Sequence, residues 1–257
     1  MNSELHYHPS AALNRIVRVS ILRPSPLEKH RAGRARRGVD GDICLVAGGQ
    51  PGPDFNYAVV LGPEPPERVF ALASAFFADT GGYAVVVEAG AASETEAALQ
   101  AGGWKLDEEE PALVLPALPA SLPAGPDELE IRRVTDEAVF EDFFTVSRTR
   151  HRFVPSLAAA MDPDVALLVG YVEGRPVATS RLTCLGDLAE ITGVVTLPEA
   201  RRRGFGTAMT WAVIAEAARR GCAAITLTAT ELGYPVYVRM GFLPVCTLRT
   251  YLPPGTG

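Results

Sequence analysis

From Ile191 to Gly221 the chain reads ITGVVTLPEARRRGFGTAMTWAVIAEAARRG, and this stretch constrains the fold more than any other. An apolar run of strand type enters a basic, glycine-bearing loop at 201–206, which opens directly into a helix closed by Gly221 at the C′ position. Such a strand–loop–helix unit belongs to α/β architecture and builds an anion cradle. The first N–H groups of a helix lack intrahelical partners, and the macrodipole adds partial positive charge there. Glycines at 204 and 206 remove Cβ atoms, so an oxygen-rich ligand can approach the backbone. A dinucleotide-binding fingerprint needs a third glycine where Met209 stands, and a Walker loop needs Gly-Lys-Ser/Thr where Phe205, Gly206 and Thr207 stand. Both fail, which leaves another phosphate-binding loop or a plain helix start with structural glycines.

Around this unit the pattern is regular. Leu129–Val134 alternates as a strand, and Thr135 or Asp136 can cap a helix running to about Thr149. Val165–Val172 and Pro176–Leu185 are apolar runs joined by Glu173-Gly174-Arg175, a hairpin signal. Asp187–Thr196 is the next strand. After the long helix come a strand at Ala223–Ala229, a short helix at Gly233–Met240 and two closing strands near 242–252. The segment PALPASLPAGPD, Pro116–Asp127, carries four prolines and no period, so it reads as a stiff linker between a domain at 1–120 and one at 128–257.

The first half repeats the order more quietly. Strands are predicted at Asp42–Ala47, Asn56–Leu61 and Tyr83–Glu88, with helices at Pro65–Ala78 and Ser93–Ala101. Its end, LQAGGWKLDEEEPALVLP, parallels YVRMGFLPVCTLRTYLP at the end of the second half. Two tandem copies of one fold follow from this. Where the first copy should present a phosphate loop it reads Leu61-Gly62-Pro63-Glu64-Pro65-Pro66, in which prolines remove donors and Glu64 repels phosphate.

A net charge of −6 argues against a general nucleic-acid binder. Between Arg15 and Arg37 eight Lys or Arg residues face one Glu, which reads as a solvated face or mobile arm, a contact to an anionic partner being the alternative. No 18-residue apolar stretch is present, so no membrane partner is expected. The N-terminus lacks the pattern of a secretory signal. Four scattered cysteines without a Cys-x-x-Cys pair suit a reducing compartment, and the cytoplasm is the expectation.

The loop resembles the hallmark of the GNAT superfamily of N-acetyltransferases, Gln/Arg-x-x-Gly-x-Gly/Ala, at Arg201, Gly204 and Gly206, after a strand containing Thr196-Leu197-Pro198. A second hallmark, Tyr-x-x-x-Gly-Phe, is matched by Tyr237 through Gly241 and Phe242. The resemblance implies tandem GNAT-like domains of α/β (α+β) type, each a mixed, mostly antiparallel twisted sheet flanked by helices. The first would be a degenerate copy without a coenzyme A loop. It implies acetyl-CoA as co-substrate and no metal. Backbone groups of Val194, Val195 and Thr196 would pair with the pantetheine arm beside a splay in the sheet. The amides of Arg202, Arg203, Gly204, Phe205, Gly206 and Thr207 would hold the pyrophosphate, with Arg201 and its neighbours screening charge. Thr230 and Glu231 stand where the family often has an Asn.

Acyl transfer to an amine requires loss of an ammonium proton, a polarised thioester carbonyl and a proton for the departing thiolate. By position in the motif, Tyr237 is the acid, with Tyr234 one turn earlier as substitute. Glu190, on the strand before the loop, is the candidate base, a water chain being the alternative. His151 falls where the family builds its acceptor pocket. The expected acceptor is a small-molecule or peptide amine, and the protein a monomer or homodimer. A non-catalytic acyl-CoA-binding module and an acetyltransferase acting on protein amines are the rival readings.

Overall fold

The computed structural model describes residues 10–30, 35–147 and 156–255; His151 lies outside them. The first half comprises α1 (Ala11–Leu22), β1 (Arg36–Asp40), β2 (Ile43–Ala47), β3 (Asn56–Val60), α2 (Pro66–Phe76), β4 (Ala84–Glu88), α3 (Ser93–Ala101) and β5 (Lys105–Leu115). The second comprises β6 (Glu130–Arg133), α4 (Glu137–Ser147), α5 (Leu157–Ala160), β7 (Val165–Val172), β8 (Arg175–Leu185), β9 (Leu188–Thr196), α6 (Phe205–Arg219), β10 (Ala224–Thr228), α7 (Tyr234–Arg239) and β11 (Leu243–Leu252). Local chemistry sets these boundaries. The Asp136 carboxylate caps α4 by accepting from the Val139 N–H at 3.0 Å. Gly221, at φ 75°, ends α6 in the left-handed turn that a side chain would resist.

All strands join one eleven-stranded sheet in the order β1-β2-β3-β4-β11-β5-β10-β9-β8-β7-β6. Its pairs are antiparallel except β3–β4 and β9–β10. The β3–α2–β4–α3–β5 succession repeats as β9–α6–β10–α7–β11, so the two halves are copies of one mixed, mostly antiparallel fold.

The sequence predicts two closing strands near 242–252; the structure has one, and this is a correction with a physical cause. β11 leaves its own half and pairs with β4 and β5 of the first. β5 in turn pairs with β10 of the second. Each half thus lends its last strand to complete the other, which is a non-local pairing that no local pattern records.

Inward-facing residues alternate along each strand, and two layers cover the sheet. On one face, α6 and α7 bury Phe205, Met209, Ile214 and Tyr237 against Leu113, Ala189, Ile191 and Ile225. On the same side of the first half, Val69, Ala73 and Leu99 cover Ile43, Val60 and Val85. The opposite face carries α4, where Phe140, Phe143 and Phe144 pack on Val165, Leu167 and Val169. It also carries α1, whose Leu13, Ile16 and Val17 lie on Ala112, Val114 and Val245.

Among its described residues the basic segment is therefore no solvated arm. α1 lies across the junction of the halves, and its surroundings neutralise it. Arg18 pairs with Asp42, Arg23 with Asp187, Arg37 with Glu28, and Lys29 and His30 with Asp162. Burial would raise the Asp162 pKa, but the bonds from Lys29 and His30 outweigh it and hold the carboxyl down at about 2. The stripe Leu13, Ile16, Val17, Ile21, at helical spacing, was the available signal for this helix.

Residues 116–129 connect β5 to β6 without regular structure. A protease site placed at the exposed Ala120–Ser121 should, when cut, leave the two halves eluting together in size-exclusion chromatography. They should separate only in denaturant. Elution of two independent folded fragments under native conditions would contradict the strand exchange.

Candidate active site

β9 and β10 pair in parallel only at Ala224↔Leu188, Ile225↔Ala189 and Thr226↔Glu190. Beyond Glu190, β9 keeps β8 alone as partner, while Leu227 and Thr228 keep β5. The sheet therefore splays at Glu190. The β8–β9 register also shifts between Thr179 and Arg181, where Gly193 takes φ 59°. This bulge turns the end of β9 out of regular pairing and leaves its backbone groups facing the gap. The corresponding β3–β4 pair of the first half stays in register from Tyr57 to Val60, so no such gap opens there.

The gap leads into a cavity of about 730 Å³ on the α6 side. Val194, Val195 and Thr196 line one wall and Thr230, Gly233 and Tyr237 the other. The floor is the loop before α6, with Arg201, Arg202, Gly204, Phe205, Gly206 and Thr207 all on the lining. Arg202 and Gly204 both have left-handed backbones, φ 62° and 81°. Alternation of this kind gathers successive N–H groups into a concave nest for an anion at the helix start. A Cβ added at Gly206 would touch Thr196 Oγ1 at 3.4 Å, so this glycine keeps the approach to the loop open.

Arg203 differs from its neighbours. It is not on the lining; its guanidinium pairs with Glu128 at 2.7 Å and lies 4.7 Å over the Phe205 ring. Its side chain holds the start of the second half against the loop instead of screening phosphate charge. Arg239, on α7, lines the cavity in its place and was not singled out in the sequence. Its position within the Tyr-x-x-x-Gly motif was the available signal.

Tyr237 is 9% exposed, packed edge-on against Phe242 with ring centroids 5.8 Å apart. Burial raises its phenol to about 12, and the neighbouring Thr210 hydroxyl acts weakly in the other direction. The phenol thus holds its proton at any physiological pH. Tyr234, the substitute acid, is not on the lining.

Glu190 stands elsewhere. It lines a second cavity of about 420 Å³ on the opposite, α1 side of the sheet. The two cavities meet at the splay: Glu190, Thr192 and Gly193 line the second and Val194 to Thr196 the first, while Thr228 and Thr230 divide likewise on the facing side. Burial raises the Glu190 pKa against the pull of Arg181 and Arg37. Arg37 belongs to β1, seven strand positions from β9, so the sheet curls strongly around this cavity. Glu110, from β5 of the first half, lines it as well. Burial raises the Glu110 pKa and Glu108 adds to the shift, while a bond with Thr228 opposes it.

Residues 131–242 match the family model described as Acetyltransferase (GNAT) family. That stretch carries a GNAT-family domain. No match is found among curated protein sequences. Among solved structures, a GCN5-related N-acetyltransferase from Kribbella flavida is similar over 86% of this chain and 90% of its own, at 20% identity and TM-score 0.69. A tandem GNAT protein from the clavulanic acid biosynthesis pathway is similar over 89% and 87%, at 13% identity and TM-score 0.59. A GCN5-related N-acetyltransferase from Sphaerobacter thermophilus follows with 83% and 81%, 16% identity and TM-score 0.57. At these identities the likeness is one of fold, and it extends over both halves.

The GNAT loop has no working counterpart in the first copy. There Glu64 accepts from the Asp42 N–H at 3.3 Å and pairs with Arg68, and a Cβ on Gly62 would collide with Asp42. The copy's own carboxylates occupy the region where phosphate would bind. The position matching Tyr237 is Leu99, fully buried in the core.

Replacement of Gly206 by Glu should lower affinity for coenzyme A at least about tenfold, because it sets a carboxylate against the pyrophosphate in the nest. Calorimetry on the full chain measures this. Unchanged affinity in G206E would remove the loop from coenzyme binding.

Proposed function

We propose that the protein transfers an acetyl group from acetyl-CoA to a small primary amine by direct attack in a ternary complex. The observation carrying this reading is the splay at Glu190. It joins a nest-floored cavity holding a buried phenol to a second cavity holding a carboxylate of raised pKa. One cavity suits the coenzyme, with its phosphates on the nest and its pantetheine arm along Val194–Thr196. The other suits the acceptor. At about 420 Å³ it is within the usual range for small-molecule sites, which favours a small amine over a protein side chain. The buried state of all four cysteines, none in a disulfide, fits work in the cytoplasm.

In this mechanism Glu190 takes the proton of the bound ammonium, directly or through a water. The free amine attacks the thioester carbon, whose oxygen is polarised by backbone N–H groups near Val194. The N–C bond forms and the C–S bond breaks. Tyr237 gives its proton to the departing sulfur and is reprotonated from the proton shed at nitrogen. A phenol near 12 is a weak acid, but it never loses its proton prematurely. A carboxylate of raised pKa is a better base than an exposed one.

Thiol release with acetyl-CoA and a panel of amines tests the reading, and absence of turnover with intact coenzyme binding would favour a non-catalytic module. Tyr237→Phe should keep coenzyme affinity and KM while kcat falls by roughly 10²–10⁴-fold. Glu190→Gln should show a different profile. In the native protein turnover should climb as Glu190 ionises, above the ordinary carboxylate range because its pKa is raised. The variant should lack that limb, and its defect should shrink at high pH as the amine loses its proton unaided. Near-normal turnover in Y237F would reduce the tyrosine to packing. A pH-independent defect in E190Q would make the glutamate a substrate-binding group.

A further inference from the structure

The acceptor cavity is not the property of the GNAT domain alone. β9 contributes Glu190, but the strand exchange brings β5 of the first half beside β10, and with it Glu110. Tyr57 and Val59 of β3 complete the far wall.

The charges in the lining are unequal in what they still need. Arg23 is bound to Asp187 and to the Leu185 carbonyl. Arg37 is bound to Glu28 and the Ile21 carbonyl. Arg181 donates to Thr192 Oγ1 at 2.6 Å. Neither Glu110 nor Glu190 is in a salt bridge among the described residues, although Arg181 and Arg37 act on Glu190 electrostatically and Thr228 bonds Glu110. Half-buried carboxylates facing one cavity suit a cationic ligand, which would make charge-assisted hydrogen bonds with them.

Their separation follows from the ladder. Glu190 is level with Thr226 on β10, and Glu110 lies one strand further, two residues beyond the Thr228↔Ala112 pair. Strand spacing and rise put the two Cα atoms on the order of 15 Å apart. Side chains directed into the space between them bracket a short linear molecule, not a single point. Apolar groups, among them Leu185, Phe143 and Val59, line other parts of the same cavity.

We propose that the first half supplies half of the acceptor site, and that Glu110 is a specificity-determining residue for acceptors with a second cationic nitrogen, of the linear diamine class. The reacting nitrogen would lie at Glu190 and the remote ammonium at Glu110. This rests on the reading of the cavity as the acceptor site, but its test does not depend on turnover.

Binding to the full-length protein loaded with coenzyme A is measured by calorimetry for diaminobutane, diaminohexane and diaminooctane. Butylamine, hexylamine and octylamine serve as partners of equal length, and aminohexanoate as a zwitterion. In the native protein the diamine at its best length should bind roughly tenfold or more tightly than its monoamine, as expected for a charge-assisted contact. Glu110→Gln, which keeps the shape, should abolish that advantage. Equal binding of diamines and monoamines in the native protein would overturn the proposal without any variant, as would an advantage surviving in E110Q. Preference for aminohexanoate would overturn it too, and would point to Arg37, whose Nε–H is the one buried guanidinium donor in the cavity without a hydrogen-bond partner among the described residues. Diamine binding without acetylation would leave Glu110 in its role while refuting the catalytic reading.

Discussion

The antiparallel ladder between β5 and β11 is the interaction on which the rest depends. It runs from Leu243↔Val114 to Leu252↔Lys105 and joins the halves at the centre of the sheet. Because β5 also pairs with β10, the strands of the candidate site are flanked by a strand of the first half. The ion pair of Arg249 with Glu109 at 2.5 Å, and with Glu96 at 2.8 Å, fastens β11 to both β5 and α3. The first half has lost its own cleft, yet it remains indispensable as a supplier of this ladder.

From that ladder follows the geometry of the splay. β10 stays with β5 to Thr228, whereas β9 follows β8, and the parallel contact of β9 with β10 ends at Thr226. The resulting gap connects two cavities on opposite faces of one sheet. A phenol kept protonated by burial sits on one side and a carboxylate made more basic by burial on the other. Desolvation works in both places with the same sign, raising both pKa values, yet it yields one group that keeps its proton and one able to accept a proton.

Legibility in the sequence followed locality. The nest could be read because its demands fall on adjacent residues: glycine at 204 for a left-handed backbone and at 206 for close approach. Tyr237 was found by its spacing from Gly241 and Phe242, and the hairpin at 173–175 by its turn chemistry. The single strand β11 was misread as two, because a register shift between Pro244 and Cys246 breaks its alternation and its partners lie in the other half. Glu110 was hidden in an acidic run whose Glu108 and Glu109 are exposed, and only the non-local pairing of β5 with β10 brings it beside Thr228 in the cavity. Arg203 looked like its neighbours, and its partner Glu128 lies in a segment without regular structure. The misreadings share one cause: each partner lies far away in sequence.

The exchange of final strands also sets a schedule for biosynthesis. When residues 1–115 have emerged, β4 and β5 still lack the strand that belongs between them, and β11, which begins at Leu243, is made long after them. The nascent first half must therefore wait, with strand edges open, until residues through Leu252 have left the ribosome. Pairings of such long range close slowly, and open edges invite contact with other chains. The run Glu108–Glu110 on β5, with the charges of Lys105 and Asp107 beside it, lies on the edge that waits longest. Like-signed carboxylates there repel a second copy of the same strand until Arg249, on β11, arrives to pair with one of them.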